Sequence, residues 1–376
     1  MGRKFESCCR SHYEALPERQ GFSISEAVLQ SPGRCLSNSA IPFSQDLATI
    51  SQTEATTISK SEGGRALGGT VRFDVWGCRG SKSFIPARSR IGNYTSCYSL
   101  QDGSDLFVFD AGLGIASLSY EIHRQRRFGV VKRIYVLITH AHLDHWEGLK
   151  DADWFWERDN GLEIRIIGLD EAINAIKRGY EHPSFVDLEL LARFTVARLE
   201  FISFSFGDVL ELGNWKLENS ALNHYSGTPE DKSVVQTSGY RLSREGGPIV
   251  CYISDHEPGP TTLEAEKTLT DGANLVLYDS HFPTIAEQRF GHGSQEHSAN
   301  MAKSAPNLLV VAGHHGPMYS DVDVEKTFRR LAKGLDNFAI AVEGRGFVWD
   351  AASSRFLVEE AREPHPEIAK ASAPKI

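Results

Sequence analysis

Residues 137–149 read LITHAHLDHWEGL, placing three histidines and an aspartate within six positions directly after an apolar run. The run RIYVLI at 133–138 predicts a buried strand, so the polar cluster falls on the loop at its carboxyl end. Imidazoles and a carboxylate rarely crowd together this closely unless something holds them, and a divalent cation is the usual reason.

Working outward from this stretch, strands are expected at 71–77, 96–101, 105–112 and 133–140, with a helix at 115–125. A second round predicts strands at 163–168, 197–204, 207–224, 237–243, 249–255, 274–281 and 307–315, with helices at 171–181 and near 296–305. Residues 338–350 close with strands. Many strands interrupted by single helices imply an α/β protein, two packed sheets with helices outside, in a four-layer αββα sandwich over residues 70–350. Residues 44–69 are rich in Ser, Thr and Gly without sustained apolar periodicity, so 1–69 is expected to be a flexible N-terminal extension. Residues 351–376 are expected to be a C-terminal tail.

The formal net charge of −9, with no basic block to offset it, disfavours nucleic acid as a partner. The six cysteines show no CxxC spacing and read as reduced thiols of a cytoplasmic protein. No apolar segment approaches membrane-spanning length, and the first residues lack the apolar region of a secretory signal, so no membrane partner is expected. A homodimer is left open.

Further candidate ligands also sit at carboxyl ends of predicted strands. His140, His142, Asp144 and His145 follow one strand, His224 a second, Asp255 a third and His314 a fourth. Five imidazoles and two carboxylates suffice for two divalent metal ions, with Zn2+ suited to the donor set and Mn2+ or Fe as alternatives. Adjacent side chains near a strand end point to opposite faces, so His314 or its neighbour His315 should coordinate, not both. His256, beside Asp255, is a bystander by the same reasoning.

The pattern His140-Ala-His142-Leu-Asp144-His145 resembles the HxHxDH hallmark of the metallo-β-lactamase superfamily, and the resemblance spans roughly residues 70–350. It implies that His140, His142 and His224 bind a first metal, that Asp144, His145 and His314 bind a second, and that Asp255 bridges them. WGCRGS (76–81), GNYTSCYSL (92–100), FDAGLG (109–114), TSGYRL (237–242), YISDHEP (252–258), LVLYDSH (275–281), GHGS (291–294) and AGHHGPMYSD (312–321) look like the cyclic phosphodiesterase and phosphoribosyl cyclic phosphate phosphodiesterase branch. Tyr94 departs from that branch, standing where an Asn is expected. The resemblance also gives His292 a role in leaving-group departure, with Asp279 orienting its ring. Asp110 is either an anchor of the metal-binding loop or a carboxylate that satisfies a turn. Trp154, Phe155 and Trp156 offer either core burial or an exposed stacking wall. His281, His297 and His182 read as surface residues or as neighbours of the ligands.

The expected function is a dinuclear metal-dependent hydrolase acting on a small cyclic or nucleotide-like phosphodiester. Asp144 would bind metal and hold the nucleophile's proton, and His292 would serve as general acid. A carbonyl ester, lactone or lactam hydrolase and an RNA-processing nuclease use the same site chemistry. A noncatalytic metal-binding sensor is the alternative of a different class. Only 31 residues separate His224 from Asp255, too few for a tRNA-gripping arm beside the required strands.

Overall fold

The computed structural model describes residues 70–84, 89–124, 131–157, 161–185, 198–228 and 230–359. The expected extension 1–69 lies outside the described residues.

The first sheet contains β1 (Arg72–Gly77), β2 (Cys97–Asp102), β3 (Asp105–Phe109), β4 (Arg133–Ile138), β5 (Glu163–Leu169) and β6 (Arg198–Phe204). In the second are β7 (Val209–Leu212), β8 (Trp215–Ala221), β11 (Ser238–Ser243), β12 (Ile249–Ile253), β13 (Leu275–Asp279), β14 (Leu309–Gly313) and β15 (Phe338–Ile340), while β9 (His224–Gly227) and β10 (Lys232–Val235) form a separate hairpin. The chain then returns to the first sheet as β16 (Gly346–Asp350) and β17 (Arg355–Glu359). The strand orders are β17-β16-β1-β2-β3-β4-β5-β6 and β15-β14-β13-β12-β11-β8-β7.

Three apolar cores account for four layers. Phe73, Tyr98, Phe107 and Phe109 of the first sheet pack with Tyr240, Tyr252, Leu277 and Val311 of the second, filling the space between them. On the outer face of the first sheet, Val108, Val136 and Ile166 meet the helices Ile115–Arg124 and Asp170–Gly179. The outer face of the second is covered by the helices Leu263–Thr270 and Gln295–Ser304 through Val276, Val310, Leu269 and Ala299. Strands buried on both faces are apolar nearly throughout, which is why β3, β4 and β13 read as continuous runs. Burying each such aliphatic or aromatic side chain contributes about 1.5–3 kcal/mol. The αββα sandwich expected from the sequence is the observed architecture.

Topology places the polar cluster. β3 and β4 run parallel in one sheet, β12, β13 and β14 in the other, so their carboxyl ends lie along common edges. Ligands in open α/β sheets gather at such edges. Hydrogen bonds join the sheets there, with Tyr240 Oη donating to the carbonyl of Ile138 at 2.5 Å and Tyr252 Oη to Asp110 Oδ2 at 2.7 Å.

Several expectations change. The segment 207–224 is a β7–β8 hairpin followed by β9, because Gly213, at φ 66°, turns the chain between Leu212 and Trp215. Residues 338–350 divide between the two sheets. Arg355–Glu359, assigned to the C-terminal tail, pairs with β16 as the edge of the first sheet. Trp154 and Phe155 are buried in the outer core, which rules out the stacking-wall reading for them. Among the described residues no helix is long and apolar enough to cross a membrane.

Candidate metal centre

The loop after β4 coils into a short 3-10 turn, Leu143–His145, that directs His140, His142, Asp144 and His145 toward one region. Gly112 permits this turn, since a Cβ there would lie 2.4 Å from the carbonyl oxygen of Asp144. From the second sheet come Asp255, two residues past β12, and His314, one past β14. Asp255 and His314 have φ of 53°, a left-handed conformation costing side-chain-bearing residues roughly 1–3 kcal/mol. That twist turns each side chain off the strand's alternation. His224 enters as the first residue of β9.

Asp255 faces two ways. Its Oδ2 lies 3.8 Å from His140 Nε2 and 3.6 Å from His224 Nε2, while His142 Nδ1 is 3.1 Å from His224 Nε2. The other oxygen, Oδ1, lies 3.1 Å from His145 Nε2 and 3.0 Å from His314 Nε2, and Asp144 Oδ2 is 3.2 Å from His145 Nε2. Ligand atoms about 2.0–2.1 Å from a tetrahedral zinc stand roughly 3.3 Å from one another, so both groups have the needed spacing. His140 Nε2, Asp144 Oδ2, His145 Nε2 and His314 Nε2 are buried without a hydrogen-bond partner. Buried polar atoms are ordinarily paired, and convergent orphans with this donor chemistry fit divalent cations.

The opposite edges of the rings are held by protein groups. His145 Nδ1 is 2.7 Å from Asp110 Oδ2, and His140 Nδ1 is 3.0 Å from Thr139 Oγ1. His224 Nδ1 is 2.9 Å from the carbonyl of Gly291, and His142 Nε2 is 3.2 Å from Ser226 Oγ. Such contacts fix ring orientation and leave the inward nitrogen free. Asp110 also accepts the backbone N–H of Thr139 at 2.8 Å. It therefore holds both a candidate ligand and the loop that carries the others.

Electrostatics agree with the donor set. Burial holds His140 well below its usual pKa and brings His224 to about 4, leaving neutral imidazoles. Burial opposes a proton on His145 and on His314 too, but the surrounding carboxylates together outweigh it and raise both, Asp255, Asp110 and Asp144 at His145 and Asp255 and Asp279 at His314. Asp144 is pushed up by burial yet brought to about 2 by the neighbouring His145. The carboxylates make a negative pocket suited to cations.

Beside this centre, His292 Nδ1 lies 3.0 Å from Asp279 Oδ2, and its ring centroid is 5.0 Å from that of His224. Burial opposes ionisation of Asp279, but His292 and His314 hold it well below the usual carboxylate range. His315 points elsewhere, its Nε2 3.2 Å from the carbonyl of Ala341, so of the two neighbours His314 joins the cluster. His256 bonds Asn223 and Glu266 instead. Of the two readings left open for His281, surface residue or neighbour of the ligands, the second holds, since it is buried and stacks on His292 with centroids 4.3 Å apart. Sequence reasoning missed Gly80, where a Cβ would lie 2.6 Å from His314 Cε1.

The sequence profile described as the beta-lactamase superfamily domain matches residues 106–315. Among solved structures, the metallo-β-lactamase fold protein YhfI from Bacillus subtilis aligns at 18% identity and TM-score 0.52, covering 75% of this chain and 99% of its own. A diphosphatase from the PhnP family aligns at 16% and 0.52, covering 73% and 96%. Unliganded yeast PDE1 aligns at 14% and 0.52, covering 74% and 99%. No curated protein matches the chain significantly. Identities this low speak for the fold, whereas the profile spans more than half of the sequence, including the HxHxDH stretch. This chain therefore belongs to the β-lactamase superfamily, as a metal-dependent hydrolase of the metallo-β-lactamase fold.

Proposed function

We propose that the protein is a dinuclear metal-dependent phosphodiesterase acting on a small cyclic or nucleotide-like phosphodiester. The observation that carries the dinuclear reading is Asp255, with one oxygen toward each of two donor groups. His140, His142 and His224 would hold one cation, and Asp144, His145 and His314 the other. When bound, the cations supply Lewis acidity, lowering the pKa of a coordinated water toward neutrality and offsetting charge on a phosphoryl oxygen. Zinc suits the donors best.

The protein's groups divide the remaining work. Asp144 takes and holds the proton of the attacking water. Asp279 orients His292 through Nδ1, so that Nε2 can protonate the departing alkoxide. A phosphodiester favours such an acid because its alkoxide is a poor leaving group, whereas lactam and lactone opening needs it less. The similar folds of a diphosphatase and of yeast PDE1 support a phosphoester substrate. Between His224 and Asp255 the chain forms β9, β10, β11 and β12, which leaves little for an RNA-gripping arm and counts against the nuclease reading. The buried free thiols of Cys78, Cys97 and Cys251 fit a cytoplasmic setting.

The test is metal content together with turnover of bis(p-nitrophenyl) phosphate. Close to two metals per chain and hydrolysis lost in Asp144→Ala, with the fold intact by circular dichroism, is the expected result. Metal-loaded protein that hydrolyses lactones and no phosphodiester would refute it.

A further inference from the structure

Phe290 occupies backbone that suits a glycine. Its φ is 58°, in the left-handed region that bulky side chains enter at a steric cost, and the residue is 40% exposed. The loop around it is locked. The Gly291 carbonyl lies 2.9 Å from His224 Nδ1, Gly291 N–H donates to Glu257 Oε2 at 3.1 Å, and His292 N–H donates to the carbonyl of Arg289 at 3.2 Å. An aromatic ring is thus mounted on rigid backbone, two residues from the proposed general acid, with much of its surface in water. Strain of this kind concentrates where function needs it.

Tyr94 repeats the arrangement from the other sheet. It precedes β2, the residue is 41% exposed, and its backbone N–H donates to Glu343 Oε1 at 2.6 Å. Its carbonyl accepts Arg79 N–H at 2.9 Å, and the next residue, Gly80, lies against His314 and His281. The Arg289 guanidinium lies over the Phe290 ring at 5.6 Å from its centroid, and the residue still keeps 40% of its surface in water. A π face on a fixed mount suits stacking of a flat heterocycle, which costs little conformational entropy and tolerates any base.

We infer that Phe290, with Tyr94 as a second contact, forms an aromatic subsite for the base of a nucleotide-like ligand. The inference rests on the phosphodiesterase reading and narrows its substrate class to diesters that carry a nucleobase.

Calorimetric titration of the zinc-loaded full chain with AMP and with ribose 5-phosphate tests it, because the two ligands share a sugar phosphate and differ in the base. The wild-type protein should bind AMP roughly tenfold tighter, and Phe290→Ala should remove most of that preference while leaving ribose 5-phosphate affinity unchanged. If Phe290→Ala fails to fold, Phe290→Leu makes the same comparison without a π face. Phe290→Gly relieves the left-handed strain and should keep or raise Tm, whereas a fall would assign the ring to packing and overturn the inference. Equal wild-type affinities, no measurable AMP binding, or an AMP preference that survives Phe290→Ala would also overturn it. Turnover of bis(p-nitrophenyl) phosphate is measured alongside. Its absence strikes the phosphodiesterase reading, and the binding comparison still judges the aromatic subsite.

Discussion

Asp110→Asn changes one buried atom and separates two roles for that carboxylate. Asp110 Oδ2 receives His145 Nδ1–H and Tyr252 Oη–H, both at 2.7 Å, while Oδ1 receives the Thr139 N–H at 2.8 Å. An asparagine must put its NH2 at one of these places. At the Oδ1 position it meets the Thr139 N–H, donor against donor, in a fully buried site. At the Oδ2 position it forces His145 to carry its proton on Nε2, the nitrogen that faces Asp144 and Asp255. Either outcome disturbs a charged, buried hydrogen bond worth about 1.5–3 kcal/mol. Groups that orient a metal-ligating histidine typically contribute 10–100-fold in affinity, about 1.4–2.7 kcal/mol. Competition for Zn2+ against a chromophoric chelator should show a loss in that range at the site to which His145 contributes. Thermal unfolding supplies the control. A lower Tm with zinc affinity within about threefold of wild type would mean that Asp110 only satisfies its turn, and the proposed support of His145 would be wrong.

Gly80→Ala puts a Cβ 2.6 Å from His314 Cε1 and 2.9 Å from His281 Nδ1. His314 is pinned by Asp255 at 3.0 Å, so overpacking should cost about 1–3 kcal/mol and weaken metal binding, read by the same chelator competition. His292→Ala should slow 2′,3′-cyclic AMP, whose leaving group is an alkoxide, by roughly 10²–10⁴-fold, yet barely affect bis(p-nitrophenyl) phosphate, whose leaving group needs no proton. Equal losses on both substrates would remove the general-acid role. Burial pushes the Glu343 carboxyl up from 4.5 to about 7 despite the N–H donors of Asn93 and Tyr94. Between these values the folded chain retains a proton that the unfolded chain releases, so the stabilisation present below pH 4.5 is lost as pH rises through about 7. Glu343→Gln should therefore gain stability over wild type on going from pH 5 to pH 8, by about 1–3 kcal/mol in urea titrations. A pH-independent difference would refute the shift.

What could be read in the sequence follows from how local each signal is. HxHxDH is legible because four donors share one short loop at the end of one apolar strand. The wide spacing of His224, Asp255 and His314 leaves only their strand-end positions as a sign, and parallel strands in one sheet make that sign informative. The choice between His314 and His315 was not legible by alternation alone, because left-handed backbone at His314 redirects its ring. Trp154, Phe155 and His281 show the same limit from another side. Burial is set by how the segment carrying a residue docks on distant parts of the fold, Trp154 and Phe155 in the outer core and His281 against His292.

Other misses were legible and passed over. Ser320 caps the helix Asp321–Leu331 in a reciprocal box with Asp323, a spacing visible in YSDVD. Gly213-Asn214 between apolar runs is a two-residue hairpin signal, and it divides what looked like one long strand. β17 gave less to find. Phe356 is its one buried residue, so an edge strand covered by solvent on most positions has the polarity of a tail. Its identity comes from pairing with β16, whose partner β1 lies over 270 residues earlier in the chain. The same long-range closure sets the centre. β16 and β1 bring the two ends of the domain together, and the backbone of Arg345 accepts Val75 N–H at 3.0 Å while Gly344 N–H donates to the Val75 carbonyl at 2.9 Å. The segment that follows β1 carries Arg79 and Gly80, so a contact formed near residue 345 fixes the wall of the site beside His314. Local pattern supplied the ligands, and chain closure supplied the surface against which a substrate must fit.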